Sequence, residues 1–193
     1  MNGIPTLRTA QLTLRPFAVA DAPRVKLLAG DRLVADTTGS IAHPYEDGMA
    51  EAWIGKHAAG FEAGKGVHWA VTRTEDSELL GAIGLTAAPP HRRAELGYWL
   101  GVLYWGHGYA TEAGEAAVRY GFTEMGLARI SAQIFPRNPA SGRILQKLGM
   151  RQEGTLRRHY LKWDVLEDAV LYGVLREEWI AASEQAVTRP VDY

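Results

Sequence analysis

Short stretches of alternating apolar and polar residues occur along the chain, and glycines separate them from segments with helical spacing. Residues 94–100 alternate with period two, which is typical of a strand and places Glu95 and Leu96 on opposite faces. From 110 to 125 the small and apolar residues recur at helical spacing instead. The pattern predicts a strand that is joined to a helix through the glycines of 104–109.

The same patterns predict the other elements of an α+β fold. Alternation indicates further strands at 12–16, 67–72, 79–85, 128–135, 154–160 and 169–175. Helical spacing and capping residues indicate further helices near 21–28, 46–63 and 138–148. We expect a single domain over 1–180, with two helices after the first strand, two later strand-helix units and a closing hairpin. The polar residues 181–193 are expected to form a loosely attached tail.

Composition narrows the possible functions. The 193 residues are 47% apolar and 22% charged, as in an ordinary folded domain, and the net charge of −1 argues against a nucleic-acid binder. The absence of cysteine excludes a thiolate metal site and a cysteine nucleophile. The beginning of the chain does not read as a signal peptide, and no apolar run suits a membrane span, so we expect a cytoplasmic protein that acts away from membranes.

The glycines at the strand-helix junction suggest an anion site. Gly106 and Gly108 leave backbone N–H groups uncovered at the amino end of a helix, where a phosphate or pyrophosphate is attracted. A tight turn that needs flexible residues is the alternative. The dinucleotide-binding fingerprint is excluded because Thr111 stands where its third glycine should be, and the chain has no Gly-Lys-Ser/Thr of a Walker loop.

Glu95 is a candidate general base. A carboxylate in an otherwise apolar strand loses hydration, which raises its pKa and makes it a better proton acceptor. The residues alone leave open a second interpretation, in which Glu95 forms an ion pair with Arg92 or Arg93. His68, on a neighbouring predicted strand, is the next candidate base.

Ser141 lies on the apolar side of the helix near 138–148. It is three, four and seven residues from Ile144, Leu145 and Leu148, so its hydroxyl should point inward and require a partner. A hydrogen bond back to its own helix is the alternative. Asn138 suits the N-cap of this helix.

Three segments together resemble the Gcn5-related N-acetyltransferase (GNAT) superfamily, in the branch of the ribosomal-protein alanine acetyltransferases. They are Glu95-Leu-Gly-Tyr-Trp-Leu100, Tyr104-Trp-Gly-His-Gly-Tyr-Ala-Thr-Glu112 and Asn138-Pro-Ala-Ser141. The family's pyrophosphate loop reads Gln/Arg-x-x-Gly-x-Gly/Ala, and Trp105 departs from its first position. The resemblance implies a mixed, mostly antiparallel sheet of about seven strands with about four helices, splayed between strands four and five. Gly97 is expected to mark a bulge that opens this gap.

The resemblance also implies a reaction. Acetyl would pass from acetyl-coenzyme A to a primary amine, either a small molecule or a protein N-terminus, in a ternary complex without a metal. Glu95 would be the base, Ser141 would protonate the departing thiolate, and a backbone N–H near Leu100 would stabilise the oxyanion. Coenzyme A would contact Leu100, Trp105, Gly106, His107, Gly108, Tyr109, Ala110, Thr111, Asn138 and Lys147.

Other features stay open at this stage. A non-catalytic coenzyme A-binding or regulatory module is the alternative function, and the sequence leaves a homodimer open. The acceptor pocket would draw on His43 and Tyr45 and on the segment 157–160.

Overall fold

The computed structural model describes residues 3–188, and its centre is an eight-stranded sheet in the order β1-β2-β3-β4-β5-β6-β8-β7. The strands are β1 Leu7–Arg8, β2 Leu12–Arg15, β3 Gly66–Arg73, β4 Leu79–Ala88, β5 Arg93–Leu100, β6 Arg129–Ile134, β7 Arg151–Lys162 and β8 Val165–Leu175. The helices are α1 Ala22–Ala29, α2 Arg32–Asp36, α3 Met49–Ile54, α4 His57–Glu62, α5 Tyr109–Thr123, α6 Pro139–Lys147 and α7 Arg176–Thr188. The predicted α+β class and mostly antiparallel sheet are confirmed.

One pair of neighbouring strands separates partway along its length. Among the described strands, β5 and β6 are the only parallel neighbours, and their pairing runs only from Arg93 opposite Arg129 to Glu95 opposite Ser131. β5 continues to Leu100 and β6 to Ile134 without pairing to each other. The sheet is therefore splayed immediately beyond Glu95, at the pair of strands that the sequence predicted as four and five.

Helices cover both faces of the sheet. Successive residues of a strand point to opposite faces, so each strand contributes side chains to both layers. On β3, Trp69 belongs to a buried cluster that also contains Phe122 of α5. The next residue, Ala70, belongs to a second cluster with Val25 of α1 and Ile54 of α3. The splayed gap lies between these two layers, so both contribute to the walls of any cavity there.

Two predictions of element number were too low. The sheet has eight strands because the two-residue β1 pairs with β2, and two residues are too few to give an alternating pattern. The predicted helix at 46–63 is two short helices, α3 and α4, with Gly55 following the first. The segment before it contains a further short helix, α2, which begins where the Asp31 carboxylate accepts a hydrogen bond from the Leu33 N–H at 2.8 Å.

Two local predictions were wrong. Residues 181–188 of the predicted tail continue helix α7, although their polar pattern gave no sign of a helix. Ala181 and Ala182 are good helix formers, and Trp179, earlier in the same helix, packs against Phe122 with ring centroids 5.5 Å apart. The rest of the predicted tail, 189–193, lies outside the described residues. At Gly97 there is no bulge, since the register of β5 with β4 is continuous along the whole of β5.

Candidate active site

A cavity of about 990 Å³ occupies the gap between β5 and β6. It brings together all but one of the residues that the sequence singled out as catalytic or coenzyme-binding, namely Glu95, Leu100, Trp105, Gly106, Gly108, Tyr109, Ala110, Thr111, Asn138, Ser141 and Lys147. The exception is His107, which does not line the cavity and whose Nδ1 lies 2.9 Å from the Trp105 carbonyl oxygen.

The glycine loop presents backbone N–H groups at one end of this cavity. Gly106 and Gly108 have φ of +81° and +83°, in the left-handed region that favours glycine. Gly108 is the N-cap of α5, and the Thr111 N–H donates to the Gly108 carbonyl at 3.0 Å. The N–H groups of Tyr109 and Ala110 lie before this hydrogen bond, at the very start of the helix. A Cβ built on Gly106 or Gly108 would meet no atom within 4 Å, so the space beside the loop is open. The loop is therefore an open cradle suited to an anion.

Trp105, which departs from the resembled pattern, ties this loop to β5. Its indole Nε1 donates to the Leu100 carbonyl oxygen at 2.8 Å. The Gly101 N–H, in the same peptide unit, donates to Leu80 on β4 at 2.9 Å, so the Leu100 carbonyl points to the other side, into the gap. The Leu100 N–H has the same direction because the N–H and C=O of one strand residue point to the same side. This N–H is the group expected to stabilise the oxyanion.

A second set of contacts fixes the glycine loop through Tyr104, which lies just before it in the chain. The Tyr104 hydroxyl donates to the Glu78 carboxylate at 2.7 Å, and the Arg24 guanidinium binds the same carboxylate oxygen at 2.7 Å. Tyr104 is buried, so its ring and its hydroxyl are both fixed. The loop conformation consequently rests on residues from α1, the turn between β3 and β4, and the segment after β5.

Helix α6 adds positive charge to the same end of the cavity. Arg143 and Lys147 are exposed, one helical turn apart, and both line the cavity. At the start of α6 the Asn138 side chain accepts a hydrogen bond from the Ser141 N–H at 3.2 Å, so its predicted N-cap role is confirmed. Its amide also lies 3.5 Å from the Thr37 carbonyl oxygen. Contact of Asn138 with coenzyme A stays a prediction.

Glu95 lies on β5 and borders the cavity, where it keeps access to solvent. No ion pair within residues 3–188 includes it, and Arg92, one of its two suggested partners, donates instead to the Gly126 carbonyl oxygen at 2.9 Å. Partial burial against the cavity walls raises the pKa of Glu95, and the nearby His159 opposes this shift. Such a carboxylate is a better proton acceptor than one in open water.

The hydroxyl of Ser141 has the partner that its inward position requires. Its Oγ lies 2.6 Å from the hydroxyl of Tyr98, and Ser141 is only 8% exposed. Burial raises the pKa of Tyr98 to about 12, while the hydrogen bond to Ser141 acts in the opposite direction. Sequence reasoning did not assign Tyr98 to the site, although a phenol on the inward face of β5 was the available signal. The two hydroxyls form a short proton-donating chain beside the gap.

The other end of the cavity lies over the face of the sheet that carries Glu95. Here His68, Gly84 and Gly97 are aligned across β3, β4 and β5, with Trp99 two residues along β5 from Gly97. The His68 ring lies over Gly84, since a Cβ there would be 2.2 Å from the His68 Nδ1. Trp53 of α3 approaches the same ring with a centroid distance of 6.5 Å.

Behind His68 is a second histidine. His57 of α4 stacks on His68 at a centroid distance of 4.8 Å and contacts Trp53 edge to face at 4.4 Å. It is 7% exposed, and neither of its ring nitrogens has a hydrogen-bond partner among the described residues. Burial, together with the neighbouring His68, lowers the pKa of His57 to about 4, and burial also lowers the pKa of His68. Both rings are therefore neutral near pH 7.

The segment 37–42 crosses this end of the cavity. It is fixed to β7 by the Lys162 ammonium, which donates to the Ile41 carbonyl oxygen at 2.7 Å, and by the Tyr160 ring against Gly39. Tyr45 and Tyr160 line the cavity as expected. His43 does not, because its Nδ1 lies 3.1 Å from the Gly30 carbonyl oxygen, and residues 157–159 also lie outside the lining.

Comparisons with known proteins agree with this geometry. The sequence profile of one family, described as an acetyltransferase (GNAT) domain, matches residues 11–151. The uncharacterized N-acetyltransferase YoaA of Bacillus subtilis is 34% identical over 173 residues, which are 89% of this chain and 97% of YoaA. A GNAT-family acetyltransferase structure from Bacillus anthracis has a TM-score of 0.80 at 25% identity, covering 90% of this chain and 99% of that one.

A third comparison concerns a protein whose ligands are known. The structure of spermidine N-acetyltransferase from Vibrio cholerae in complex with CoA and spermine has a TM-score of 0.77. Its identity is 21%, with 89% of this chain and 99% of that one covered, so this likeness shows the shared fold. Within residues 3–188 no helix is long and apolar enough to cross a membrane, and no group of three or more acidic, histidine or cysteine side chains is arranged to hold a metal ion.

Proposed function

Since the chain belongs to the GNAT family of acetyl-coenzyme A-dependent acetyltransferases, we propose that it transfers acetyl to a primary amine while both substrates occupy one cavity. The observation that carries this proposal is the common lining of that cavity. Glu95, the Tyr98–Ser141 hydroxyl pair and the glycine loop all border the same space. A base, a proton donor and an anion cradle are the groups that amide formation from a thioester needs.

Coenzyme A fits the basic end of the cavity. The N–H groups of Tyr109 and Ala110, at the positive end of the α5 dipole, would receive the pyrophosphate, and Arg143 and Lys147 would add charge attraction. The open space beside Gly106 and Gly108 allows phosphate oxygens to approach the backbone. Acetyl-coenzyme A supplies the acetyl group as a thioester.

The remaining chemistry falls to side chains of this protein. A protonated amine cannot attack, and the reference pKa is about 8 for an α-amine and about 10.4 for a lysine amine, so a proton must be removed near neutral pH. Glu95 accepts that proton, directly or through water. The new C–N bond replaces the C–S bond, and Ser141, supported by Tyr98, donates a proton where the thiolate departs. The Leu100 N–H faces the gap and would stabilise charge on the thioester oxygen.

Ligand stabilisation and thiol release test the proposal together. Coenzyme A should raise the melting temperature, because a ligand at 100 times its Kd stabilises the folded state by about 2.7 kcal/mol. ATP and NAD at equal concentrations should have little effect. Free thiol should then appear from acetyl-coenzyme A only when an amine from a library of amino acids, peptides, polyamines and aromatic amines is added. Stabilisation by coenzyme A without thiol release from any amine would contradict acetyl transfer to amines.

A further inference from the structure

The floor of the acceptor end consists of two glycines that face each other across β4 and β5. Gly84 opposes Gly97 in register, and the His68 ring covers Gly84. Gly97 stays uncovered, since a Cβ built on it would meet no atom within 4 Å. Its backbone is regular strand without a bulge, so no turn or left-handed φ requires a glycine there. The missing side chain instead leaves a hollow between Glu95 and Trp99.

The walls of this hollow are aromatic and apolar. Trp53, Trp99, Tyr45, Met49 and Ile41 line the cavity, and all but Met49 pack against the same buried cluster on this side of the sheet. His68 adjoins Gly84 on the same face as a neutral ring. Flat side chains of this kind bury a flat or apolar body well, and they offer few hydrogen bonds to a strongly polar one.

Charge in the cavity is divided between its ends. Glu95 is the only carboxylate among the described residues that line the cavity, and the lining cations Arg143 and Lys147 both come from α6. A second ammonium group on the acceptor would have no carboxylate to meet, and burial of an unpaired charge is costly. The acceptor end thus matches one positive charge.

The acceptor end is also covered. The segment 37–42 lies over it and is held to β7 by Lys162 and Tyr160. A cavity that is partly covered in this way suits a compact body better than an extended chain.

From these features we propose that the acceptor is a small primary monoamine with an aromatic or apolar body, and that Gly97 determines this specificity by leaving room for it. The proposal rests on the proposed function, because it takes Glu95 as the group that receives the amine proton. It narrows the acceptors from any primary amine to those with one positive charge, and it excludes polyamines as preferred substrates.

Paired acceptors provide the test. Hexylamine and 1,5-diaminopentane have the same chain length and differ by a terminal methyl in place of a second ammonium. When thiol release from acetyl-coenzyme A is measured, kcat/KM for hexylamine should be at least about tenfold higher. The reason is that burial of the unpaired second ammonium of 1,5-diaminopentane costs more free energy than the loss of one hydrogen bond. 2-Phenylethylamine should exceed both, and spermidine should be poorer than hexylamine.

The Gly97→Val variant tests the hollow directly. It should lower kcat/KM for 2-phenylethylamine by about 10–200-fold, the range that one methylene group imposes in a hydrophobic pocket. The Kd of coenzyme A, measured by calorimetry, should stay unchanged. Gly154→Val is the matched control, because Gly154 is also a strand glycine with no atom within 4 Å of an added Cβ, and it lies outside the cavity. It should retain wild-type kcat/KM.

The outcomes separate the two proposals. Preference for 1,5-diaminopentane or spermidine, or exclusive acetylation of a peptide N-terminus, would overturn the monoamine inference and leave amine acetylation standing. An unchanged kcat/KM in Gly97→Val would do the same. Absence of thiol release with every amine, while coenzyme A binds, would overturn both.

Discussion

The two ends of the cavity differ in the groups that line them, which are mainly backbone at one end and side chains at the other. At the end proposed for coenzyme A, the cavity offers backbone N–H groups of one short segment, 106–110, and two cations of α6. At the end proposed for the acceptor, it offers side chains from β3, β5 and α3 that are far apart in the sequence, over a floor of glycines. Backbone recognition tolerates change in the surrounding side chains, whereas a side-chain chamber changes its ligand with each substitution. A local motif is therefore enough to indicate the cofactor, whereas the acceptor depends on residues that only the folded chain brings together.

The largest effect should come from Glu95, where the two ends meet. Glu95→Gln keeps the shape but removes the proton acceptor, so turnover should fall by about 10²–10⁴, the usual range for loss of a general base. The Kd of coenzyme A should stay nearly constant, and high pH should restore part of the rate as free amine becomes abundant. Steady-state kinetics with calorimetry would measure both.

The wild-type pH profile sharpens this prediction. Glu95 must be ionised to accept a proton, and partial burial raises its pKa, so the rate should rise with pH through a value above that of an ordinary glutamate. Glu95→Gln should lose this dependence. Glu75→Gln, in the exposed turn after β3, is the control and should keep it. Wild-type turnover in Glu95→Gln would make Glu95 structural and turn attention to His68.

The second largest effect separates backbone recognition from folding. Gly108→Ala should weaken coenzyme A binding by about 10–100-fold, because the added methyl displaces charge-assisted hydrogen bonds worth about 1.5–3 kcal/mol. Gly108→Val should be worse. Calorimetry on the folded variant measures the change.

Gly48→Ala is a control with matched backbone strain. Gly48 and Gly108 are both N-caps, with φ of +81° and +83°, and neither has an atom within 4 Å of an added Cβ. Both variants should lose about 1–2 kcal/mol of stability from left-handed alanine. Only Gly108→Ala should lose affinity, so equal affinities in the two variants would refute the phosphate cradle.

A smaller effect is expected from the hydroxyl pair. Ser141→Ala and Tyr98→Phe should each reduce turnover by about tenfold, as for one or two kcal/mol of lost hydrogen bonding, without recovery at high pH. Since the two hydroxyls are 2.6 Å apart, they should act as a unit. A double variant whose loss equals the product of the single losses would show that they act independently.

Substitution of His57 should change turnover least, and it should change the free energy of unfolding instead. The pKa of His57 is lowered from 6.5 to about 4, so between these values the unfolded chain takes up a proton that the folded protein refuses. The contribution of neutral His57 to folding stability is fully present above pH 6.5 and is lost as the pH falls towards 4. His57→Phe should remove this loss and stabilise the protein at pH 5 by about 2 kcal/mol, with a smaller gain at pH 8.

Urea denaturation of wild type and His57→Phe at the two pH values measures this effect. If the free energy of unfolding changed by the same amount in both proteins between pH 8 and pH 5, the lowered pKa of His57 would be contradicted. Turnover at pH 8 should differ little, because His57 lies behind His68 and does not line the cavity.

Prediction from the sequence succeeded where the relevant contacts are local. The glycine loop, the cap at Asn138 and the alternation of β5 depend on residues within a few positions of one another, so their spacing reveals them. It failed at β1, which is stabilised by pairing with β2, and at α7, whose polar composition hid its helical propensity. It also missed Tyr98 as a site residue, because its partner Ser141 is 43 positions away.

The residue pattern alone indicated the family, the fold class and the loop proposed to receive coenzyme A, because these depend on short motifs and on patterns of burial. The open space above Gly97 is visible only in the tertiary structure. The sequence suggested a bulge at this glycine, whereas the register of β4 with β5 is unbroken and the glycine faces open space. A strand pattern shows which face a residue occupies, but the space above that face depends on helices and loops brought there from distant parts of the chain.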